Sequence, residues 1–304
     1  MLEKPFTYTK YLTAKPQYWA LVLTRNRSRM VQLTLNSIIN QTIPPLSICV
    51  VDDGSGDDTP LILEMMRQKC PDKISIVTLK DEGYDIRRVV KNINLGIEVT
   101  GKIGLNAEYV MISGDDCIYP QEYTEQILDR MNRNPDIVIA SGDIEGLPNP
   151  DVTPRGSGRF IRTSFLHEIG GYFPPYYGYE GWILQKALQL GYSIKNFPDV
   201  RYRHLCKLGG QHRYKDWGLA MKCLGYHPFE VIYRCVKYPL IDHRVSVGYI
   251  RILFDYFIYS MIAKAKGDPY YHFFDEKARS YIRQKQKHRM IHLIGDFLKL
   301  KRSL

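Results

Sequence analysis

The chain has 304 residues, of which 44% are hydrophobic and 24% charged, as is typical of a folded globular protein. We expect one or two domains with a large core, which excludes collagen, coiled coil and bulk disorder. No apolar run reaches the roughly 18 residues of a membrane-spanning helix, and the first residues lack a secretory signal pattern. The six cysteines show no paired metal spacing, so we expect reduced thiols in a cytoplasmic protein.

The net charge of +10 is concentrated towards the C-terminus. Residues 244–304 contain 13 Lys and Arg against 5 Asp and Glu, which gives +8, whereas residues 1–243 contain 29 against 27, which gives +2. A basic segment beside a nearly neutral body is typical of a region that meets an anionic partner. Nucleic acid and an anionic membrane surface are the two candidates.

After a polar lead-in at 1–18, the first half of the chain alternates short apolar runs with segments of helical periodicity. Strands are predicted at 19–24, 46–51, 74–79 and 109–113, and helices at 30–40, from residue 58 or 59 onwards, and at 89–99. This alternation is typical of βαβ units. It predicts an α/β fold with a mainly parallel sheet flanked by helices.

The second half of the chain is less regular. A strand at 137–140, a Pro/Gly-rich loop at 145–158, a helix at about 180–190 and a strand at 192–204 are predicted. Two amphipathic helices follow, the first with an apolar face formed by Val247, Ile250, Phe254, Phe257, Ile258 and Met261. We therefore predict a main domain at 19–243 and a basic, amphipathic helical extension at 244–304.

Polar clusters follow the first, second and fourth predicted strands. They begin at Thr24, Asp52 and Ser113, and open α/β sheets bind ligands at the carboxyl ends of their strands. The adjacent carboxylates Asp115 and Asp116 repel each other unless a cation compensates their charge. Carboxylate ligands completed by phosphate and water suit Mn²⁺ or Mg²⁺, so a divalent metal is predicted at this edge.

Two common nucleotide-binding classes are disfavoured by missing motifs. The chain has no GxxxxGK phosphate loop, which disfavours an ATPase. It has no GxGxxG after the first predicted strand, which disfavours an oxidoreductase that binds a dinucleotide.

A series of short motifs resembles glycosyltransferase family 2. In chain order they are VLTRNR, SIINQT, VVDDGSGDDT, NLGI, ISGDD and GGYF…YEGW…LGY, within about residues 18–210. The resemblance implies the GT-A fold and an inverting, metal-assisted transfer of sugar from a nucleotide-sugar, with a UDP-sugar favoured. It also implies a glycan or a lipid-linked molecule as the acceptor.

The resemblance assigns residues to the donor and metal sites. Ser113 stands where the family usually has the first Asp of its metal motif, and Ile93 where it usually has an Arg. The implied metal ligands are Asp116 and His204. The implied donor-binding residues are Thr24, Arg25, Asn26, Asp52, Asp53, Asn94, Gly96 and Asp115.

The resemblance also implies a general base. Counting back from Gly191, it assigns this role to Glu180, although Tyr179 replaces the Glu that usually comes before the base. Glu180 could instead be a first-turn acid that the helix dipole favours. The next candidates are Asp115, Asp143 and Glu145. Tyr179 and Trp182 could form an acceptor wall or belong to the core.

Two other functions stay open at this stage. A sugar nucleotidyltransferase would use basic residues after the first strand, and Arg25, Arg27 and Arg29 satisfy that requirement. A catalytically inactive protein that binds nucleotide-sugar or membrane is the second alternative. The basic amphipathic tail predicts an anionic membrane partner, with a peripheral location on the inner face of the cell membrane. Nucleic acid is disfavoured because no binding module is visible.

Overall fold

The structure is a computed structural model and describes residues 15–102, 107–147, 149, 152–206, 214, 216–241 and 246–302. The strands are β1 (Tyr18–Thr24), β2 (Ile48–Asp52), β3 (Ile74–Thr78), β4 (Tyr109–Ser113), β5 (Cys117–Ile118), β6 (Ile137–Ile144), β7 (Arg159–Arg162) and β8 (Ser193–His204). The first helices are α1 (Ser28–Ile39), α2 (Thr59–Lys69), α3 (Val89–Lys102), α4 (Tyr123–Arg133), α5 (Thr163–Glu168) and α6 (Tyr179–Gln189). They are followed by α7 (Trp217–Cys223), α8 (Pro228–Ile241), α9 (Ser246–Phe254), α10 (Ser260–Ala265) and α11 (Glu276–Arg302).

Among the described residues, eight strands form one mixed sheet in the order β3-β2-β1-β4-β7-β6-β8-β5. β1 to β4 are mutually parallel, whereas β7 runs antiparallel to both β4 and β6. The predicted α/β fold with helices around the sheet is confirmed. β7 and the two-residue β5 were not predicted, because such short strands, with Arg at both ends of β7, give no clear apolar alternation.

The parallel half of the sheet is covered on both faces. Successive side chains of a strand point to opposite faces, so Leu21 and Val51 pack with α3, whereas Val22 and Val50 pack with α1 and α2. Burial on both faces explains why these strands are continuous apolar runs in the sequence. The rigid core leaves the polar strand ends at one edge.

α11 and the segment just before it pack against α6 and its N-terminal approach. The Trp182 ring stacks on Phe274 with 5.9 Å between ring centroids, and Tyr177 N donates to Tyr270 O at 3.0 Å. Ile282 of α11 belongs to the same buried cluster as Trp182. The predicted domain boundary at 243/244 lies outside the described residues and stays a prediction, but the described residues on its two sides share one core.

No helix among the described residues is both long enough and apolar enough to cross a bilayer. Of the predicted lead-in, residues 1–14 are outside the described ranges, and Tyr18 already begins β1.

Candidate active site

The polar ends of β1, β2 and β4 meet at one edge of the sheet. Thr24 is aligned with Asp52 across β1 and β2, and β4 runs parallel to β1 on its other side. The Thr24 hydroxyl donates to Asp115 Oδ2 at 2.8 Å, and Arg25 N donates to the same oxygen at 3.4 Å. Clusters about 90 residues apart in the sequence are therefore in direct contact, as expected for parallel strands.

At this edge, the ionised form of the Asp115 carboxyl group is disfavoured by its surroundings. Its pKa is raised to about 6, chiefly by burial and also by the neighbouring charge of Asp116, whereas the hydrogen bond from Thr24 acts to lower it. Two carboxyl groups are thus held together where solvent screens them poorly. A cation bound here would relieve their repulsion.

Arg25 links the loop after β1 to the loop after β2 by hydrogen bonds. Its guanidinium donates to the carbonyl oxygens of Asp53 and Gly54, the latter at 3.0 Å, and forms an ion pair with Asp81 at 2.6 Å. These contacts of the Arg25 side chain stabilise the conformation of the loop after β2.

Asn26 and Asp52 also hold the loops in shape. Asn26 N donates to Ser55 Oγ at 2.9 Å, and Gly56 N donates to Asn26 Oδ1 at 2.8 Å. Ser55 donates from both its backbone N and its hydroxyl to Asp52 Oδ1. Asp52 is fully buried, and its Oδ2 has no hydrogen-bond partner among the described residues. Its contacts are those of a turn-forming residue.

Asp53 is paired with an arginine that the sequence analysis missed. Arg88 Nε and Nη2 donate to the two carboxylate oxygens of Asp53 at 3.2 and 2.9 Å, and both side chains are about seven-eighths buried. The hydrogen bond to Asp53 raises the pKa of Arg88. Arg88 ends a short 3₁₀ turn, Ile86–Arg88, that leads directly into α3. The signal that could have revealed it is the Arg pair just before the predicted helix at 89.

Asp116 and His204 face each other across the β5–β8 pairing. His204 Nε2 lies 3.2 Å from Asp116 Oδ1, and the Cys117 thiol completes a cluster of potential metal ligands. His204 Nδ1 lies 3.0 Å from the Cys206 carbonyl oxygen, which can only accept, so Nδ1 carries the hydrogen. In the neutral ring, Nε2 is then an acceptor that faces another acceptor. This arrangement suits a proton or a metal ion between them, so the donor set fits a divalent cation.

Glu180 lies in the first turn of α6, where the helix dipole favours a negative charge. The helix begins after Gly178, whose φ of 92° is in the left-handed region and whose missing Cβ would lie 3.1 Å from Ala220 O. A side chain at 178 would therefore displace the start of α6. The carboxylate of Glu180 is exposed, and a Cβ on Gly156 would lie 3.0 Å from its Oε1.

The loop at 156–158 links Glu180 to the acidic strand end. Ser157 Oγ accepts a hydrogen bond from Gly114 N at 3.1 Å, immediately before Asp115. Tyr202 donates to Ser157 O at 2.8 Å and anchors the loop from β8. Sequence reasoning recognised only a Pro/Gly-rich loop here, because its contacts are all with distant segments.

Asn94 and Gly96 hold α3 in place. The Asn94 amide donates to Phe173 O at 2.7 Å and accepts from Phe173 N at 2.8 Å. A Cβ on Gly96 would lie only 2.2 Å from Leu21 Cδ1, so a larger residue would push α3 away from β1. The contacts described for both residues are with the scaffold, and their implied role in donor binding stays a prediction.

The two aromatic residues of α6 lie against the core. Trp182 is 6% exposed and is covered by Phe274, whereas the partly buried Tyr179 packs edge-to-face on Phe173 at 6.2 Å. Burial raises the pKa of Tyr179 well above its usual value. The structure does not bring the Trp182 ring to an open surface that a sugar could stack on.

The acids named as alternatives to Glu180 differ in their surroundings. Asp143 forms an ion pair with Arg155 at 2.6 Å, and Glu145 is exposed beyond the end of β6. Asp115 already accepts hydrogen bonds from the Thr24–Arg25 loop. Glu180 thus combines exposure with closeness to the loop that contacts the acidic strand end.

Comparison of the sequence with known families gives a match over this same region. A sequence profile described as Glycosyl transferase family 2 matches residues 19–189, more than half of the chain. Chondroitin synthase of Pasteurella multocida (strain Pm70) is 33% identical over 122 residues, which are 39% of this chain and 11% of that protein. The chain thus spans about a tenth of the length of this curated relative.

Solved structures share the fold at low sequence identity. Mannosyltransferase PcManGT from Pyrobaculum calidifontis, in complex with GDP-Man and Mn²⁺, aligns with a TM-score of 0.56 and 19% identity over 88% of this chain and 80% of its own. TarS 1–349 of S. aureus, in complex with UDP-GlcNAc, aligns with a TM-score of 0.51 and 16% identity over 84% of this chain and 78% of its own. These neighbours confirm the predicted GT-A fold.

Proposed function

The chain belongs to glycosyltransferase family 2, and on that premise we propose that it is an inverting glycosyltransferase that moves a sugar from a nucleoside diphosphate-sugar to an acceptor hydroxyl. The observation that carries the proposal is the grouping of Thr24 with Asp115, of Asp53 with Arg88 and of Asp116 with His204 at the ends of the strands. Glu180 adjoins this group through the loop at 156–158.

The donor occupies the edge formed by β1, β2 and β4. Asp53, held by Arg88, is suited to accept hydrogen bonds from the nucleotide base, and a uridine base is favoured. Thr24 and Asp115 lie nearer the metal residues and are suited to the ribose and diphosphate. The backbone of Arg25 and Asn26 forms the rest of the proposed donor-binding surface. The neighbours, which hold GDP-Man and UDP-GlcNAc, support a nucleotide-sugar donor in general.

Asp116 and His204 would hold the divalent cation, Mn²⁺ or Mg²⁺. The face-to-face arrangement of their acceptor atoms supports this assignment. When bound, such a cation supplies positive charge that stabilises the departing diphosphate. The His204 tautomer is set by the carbonyl of Cys206, so the ring keeps Nε2 free for this role.

Glu180 acts as the general base. Its carboxylate takes the proton of the acceptor hydroxyl, while the oxygen forms a bond to the anomeric carbon of the donor sugar. The bond from that carbon to the diphosphate oxygen breaks on the opposite side, and the nucleoside diphosphate leaves with the electron pair. Attack from the opposite side inverts the configuration of the sugar. Exposure of Glu180 at the start of α6 supports a carboxylate that an acceptor can reach.

The acceptor is a glycan or a lipid-linked molecule at the cytoplasmic side of the cell membrane. The +8 charge of residues 244–304 supports a location at an anionic surface, because each basic residue near such a surface contributes about 1 kcal/mol. A lipid-linked acceptor would be presented at that same surface.

A nucleotide-binding panel tests the proposal. The change in melting temperature is measured with UDP, GDP and dTDP and their sugars, each with and without Mn²⁺. One nucleoside diphosphate should raise the melting temperature only when Mn²⁺ is present. At a ligand concentration of about 100 times Kd, binding adds about 2.7 kcal/mol to the free energy of unfolding, which is large enough to detect. Incubation with the matching nucleotide-sugar and acceptor should release nucleoside diphosphate.

Asp116→Asn should abolish the Mn²⁺-dependent shift, because an amide is a neutral, weaker ligand for a hard cation. Asp129→Asn is the matched control, since Asp129 forms an exposed ion pair on α4. Release of pyrophosphate would instead indicate a nucleotidyltransferase, and nucleotide binding without turnover would indicate the inactive alternative. An unchanged Mn²⁺ requirement in Asp116→Asn would contradict the metal assignment.

A further inference from the structure

The helical segment from α9 to α10 exposes apolar side chains on its outer side, in addition to those on its buried side. Its outer apolar face consists of side chains with exposed fractions between 40% and 70%: Ile250, Phe254, Phe257, Ile258 and Met261. The inner side buries the apolar residues Ile252, Tyr256 and Ala263 together with the polar residues Asp255 and Ser260. A surface helix of a globular protein normally presents polar side chains to solvent, which this outer face does not.

The inner side of the segment has well-defined partners. The Tyr256 hydroxyl donates to Tyr226 O at 2.7 Å, and Asp255 packs so closely on Gly218 of α7 that a Cβ there would lie 2.7 Å from the Asp255 Cβ. Ile252 and Tyr256 pack in a cluster with Val231 of α8. The orientation of the helix is therefore set by buried contacts, and turning it to cover the outer apolar face would break them.

A second exposed apolar row lies on the adjoining helix α8. It contains Phe229, Ile232, Val236 and Leu240, and Leu240 is 83% exposed. α8 and α9 share a buried cluster, so both rows belong to one helical subassembly. Apolar exposure on this scale is typical of a surface that binds a partner or a membrane.

The charge around the outer apolar face favours lipid over a second copy of the chain. Lys264 and Lys266 are exposed at the end of α10, in a segment of net charge +8. A symmetric dimer through this face would bring the same cations together, which is unfavourable. Anionic headgroups would neutralise them, while the acyl boundary would cover the apolar side chains.

We propose that the outer apolar face lies in the headgroup region of an anionic bilayer, with the segment from α9 to α10 parallel to the membrane plane. This inference rests on the proposed membrane location and deepens it by naming the docking residues; it does not depend on the proposed reaction. A lipid-linked acceptor would then reach the enzyme from the surface on which the enzyme rests.

The test measures co-sedimentation of the full chain with phosphatidylcholine vesicles that contain or lack phosphatidylglycerol. The variant Ile250→Gln/Met261→Gln should bind anionic vesicles about tenfold less tightly or worse, because two exposed apolar side chains lose their burial in lipid. The control Leu46→Gln/Leu61→Gln removes two exposed leucines from the main domain and should bind as the wild type does. Lys264→Gln/Lys266→Gln should weaken binding and reduce its salt sensitivity.

Two results would overturn the inference. The first is equal vesicle binding by the wild type and by Ile250→Gln/Met261→Gln. The second is a wild-type dimer in solution that the same variant converts to a monomer, with no vesicle binding by either. The nucleotide panel on the same variant separates the two proposals, because its Mn²⁺-dependent shift should equal that of the wild type. If the wild type shows no Mn²⁺-dependent shift in melting temperature, the proposed reaction is contradicted, while the vesicle measurements still test the membrane proposal.

Discussion

At the scale of single residues, the candidate site consists of polar side chains brought together across long stretches of sequence. Arg88 pairs with Asp53, and His204 pairs with Asp116, in each case between a loop or turn and a strand end. Glu180 stands in the first turn of a helix. Because these side chains fill little core volume, conservative substitutions should change binding or catalysis before they change folding.

Glu180→Gln should lower turnover by about 10²–10⁴, since the amide keeps the shape of the side chain but cannot accept a proton. Donor affinity should change little, because the base faces the acceptor. Steady-state kinetics at saturating donor, with the donor Kd measured in parallel, checks both statements.

Glu125→Gln is the matched control for this substitution, since Glu125 is likewise an exposed carboxylate in the first turn of a helix, α4. Glu180→Asp should retain part of the activity, because its shorter side chain is about 1 Å too far from the acceptor. Near-normal turnover in Glu180→Gln would exclude Glu180 as the base and make Asp115, Asp143 or Glu145 the next candidate.

Arg88→Lys should weaken binding of the nucleoside diphosphate by about tenfold, because lysine cannot donate two parallel hydrogen bonds to Asp53. Arg67→Lys serves as the control, because Arg67 likewise donates two hydrogen bonds to a carboxylate, that of Glu64, on the solvent-facing side of α2. Isothermal titration in the presence of Mn²⁺ measures both affinities. If Arg88→Lys and Arg67→Lys bound nucleotide equally well, the Asp53–Arg88 pair would not belong to the donor site.

At the scale of secondary-structure elements, α6 connects the candidate base to the C-terminal helices. Glu180 stands at its exposed first turn, while Trp182 two residues later stacks on Phe274. α11 packs along the same helix through Ile282. The position of the base is therefore coupled to the packing of a segment more than 90 residues further along the chain.

Phe274→Ala should lower the free energy of unfolding by about 3 kcal/mol, since a 5% exposed ring is replaced by a cavity beside Trp182. The neighbouring Phe273 is 44% exposed, so Phe273→Ala should cost about 1 kcal/mol or less. Urea denaturation of the two variants compares them directly. Equal losses of stability would show that the Trp182–Phe274 stack does not hold α11 against α6.

At the scale of the whole molecule, charge and packing divide the chain differently. The charge divides it at about residue 243, with +2 before and +8 after. In the described part of the chain, the hydrophobic core shows no division at that point. One cluster contains Ala263, Phe274 and Ile282 together with Leu21 and Val51 of the sheet. The segment for which we propose an anionic partner is thus also part of the packing of the whole chain.

A chain of residues 1–243 should be much less stable than the full chain, and we expect it to aggregate. Removal of α9 to α11 uncovers the apolar side chains that they bury, including Trp182 and Cys223. The yield of monomeric protein and its melting temperature measure the effect. A monomeric 1–243 chain with the melting temperature of the full protein would instead show that the predicted domain at 19–243 folds on its own.

Much of the fold could be predicted because the signals that carry it are local. Apolar runs such as 19–24 and 109–113, separated by helical periods, identify parallel strands without reference to distant residues. The clusters beginning at Thr24, Asp52 and Ser113 could be assigned to one edge, because parallel strands share the direction of their carboxyl ends. β7 was missed because four residues with Arg at both ends have no period to detect.

Pairing across the sheet could not be predicted in the same way. Nothing in the order of residues joins Arg88 to Asp53, or Ser157 to Gly114, because these contacts depend on how loops from different strands meet. Likewise, Trp182 could be read as an acceptor wall or as core until Phe274 was found against it.

The sequence by itself determined the alternating strands and helices from β1 to β4, the polar edge and the fact that Ile250, Phe254 and Met261 share one face of a helix, since all of these follow from spacing along the chain. The tertiary structure alone decided which way that face points. A helical period groups side chains together, but only the packing of Ile252 and Tyr256 on Val231, with the hydrogen bond from Tyr256 to Tyr226 O, turns the apolar face outwards. The same holds at the site, where folding brings the Asp116 carboxylate and the His204 ring together from two strand ends far apart in the sequence.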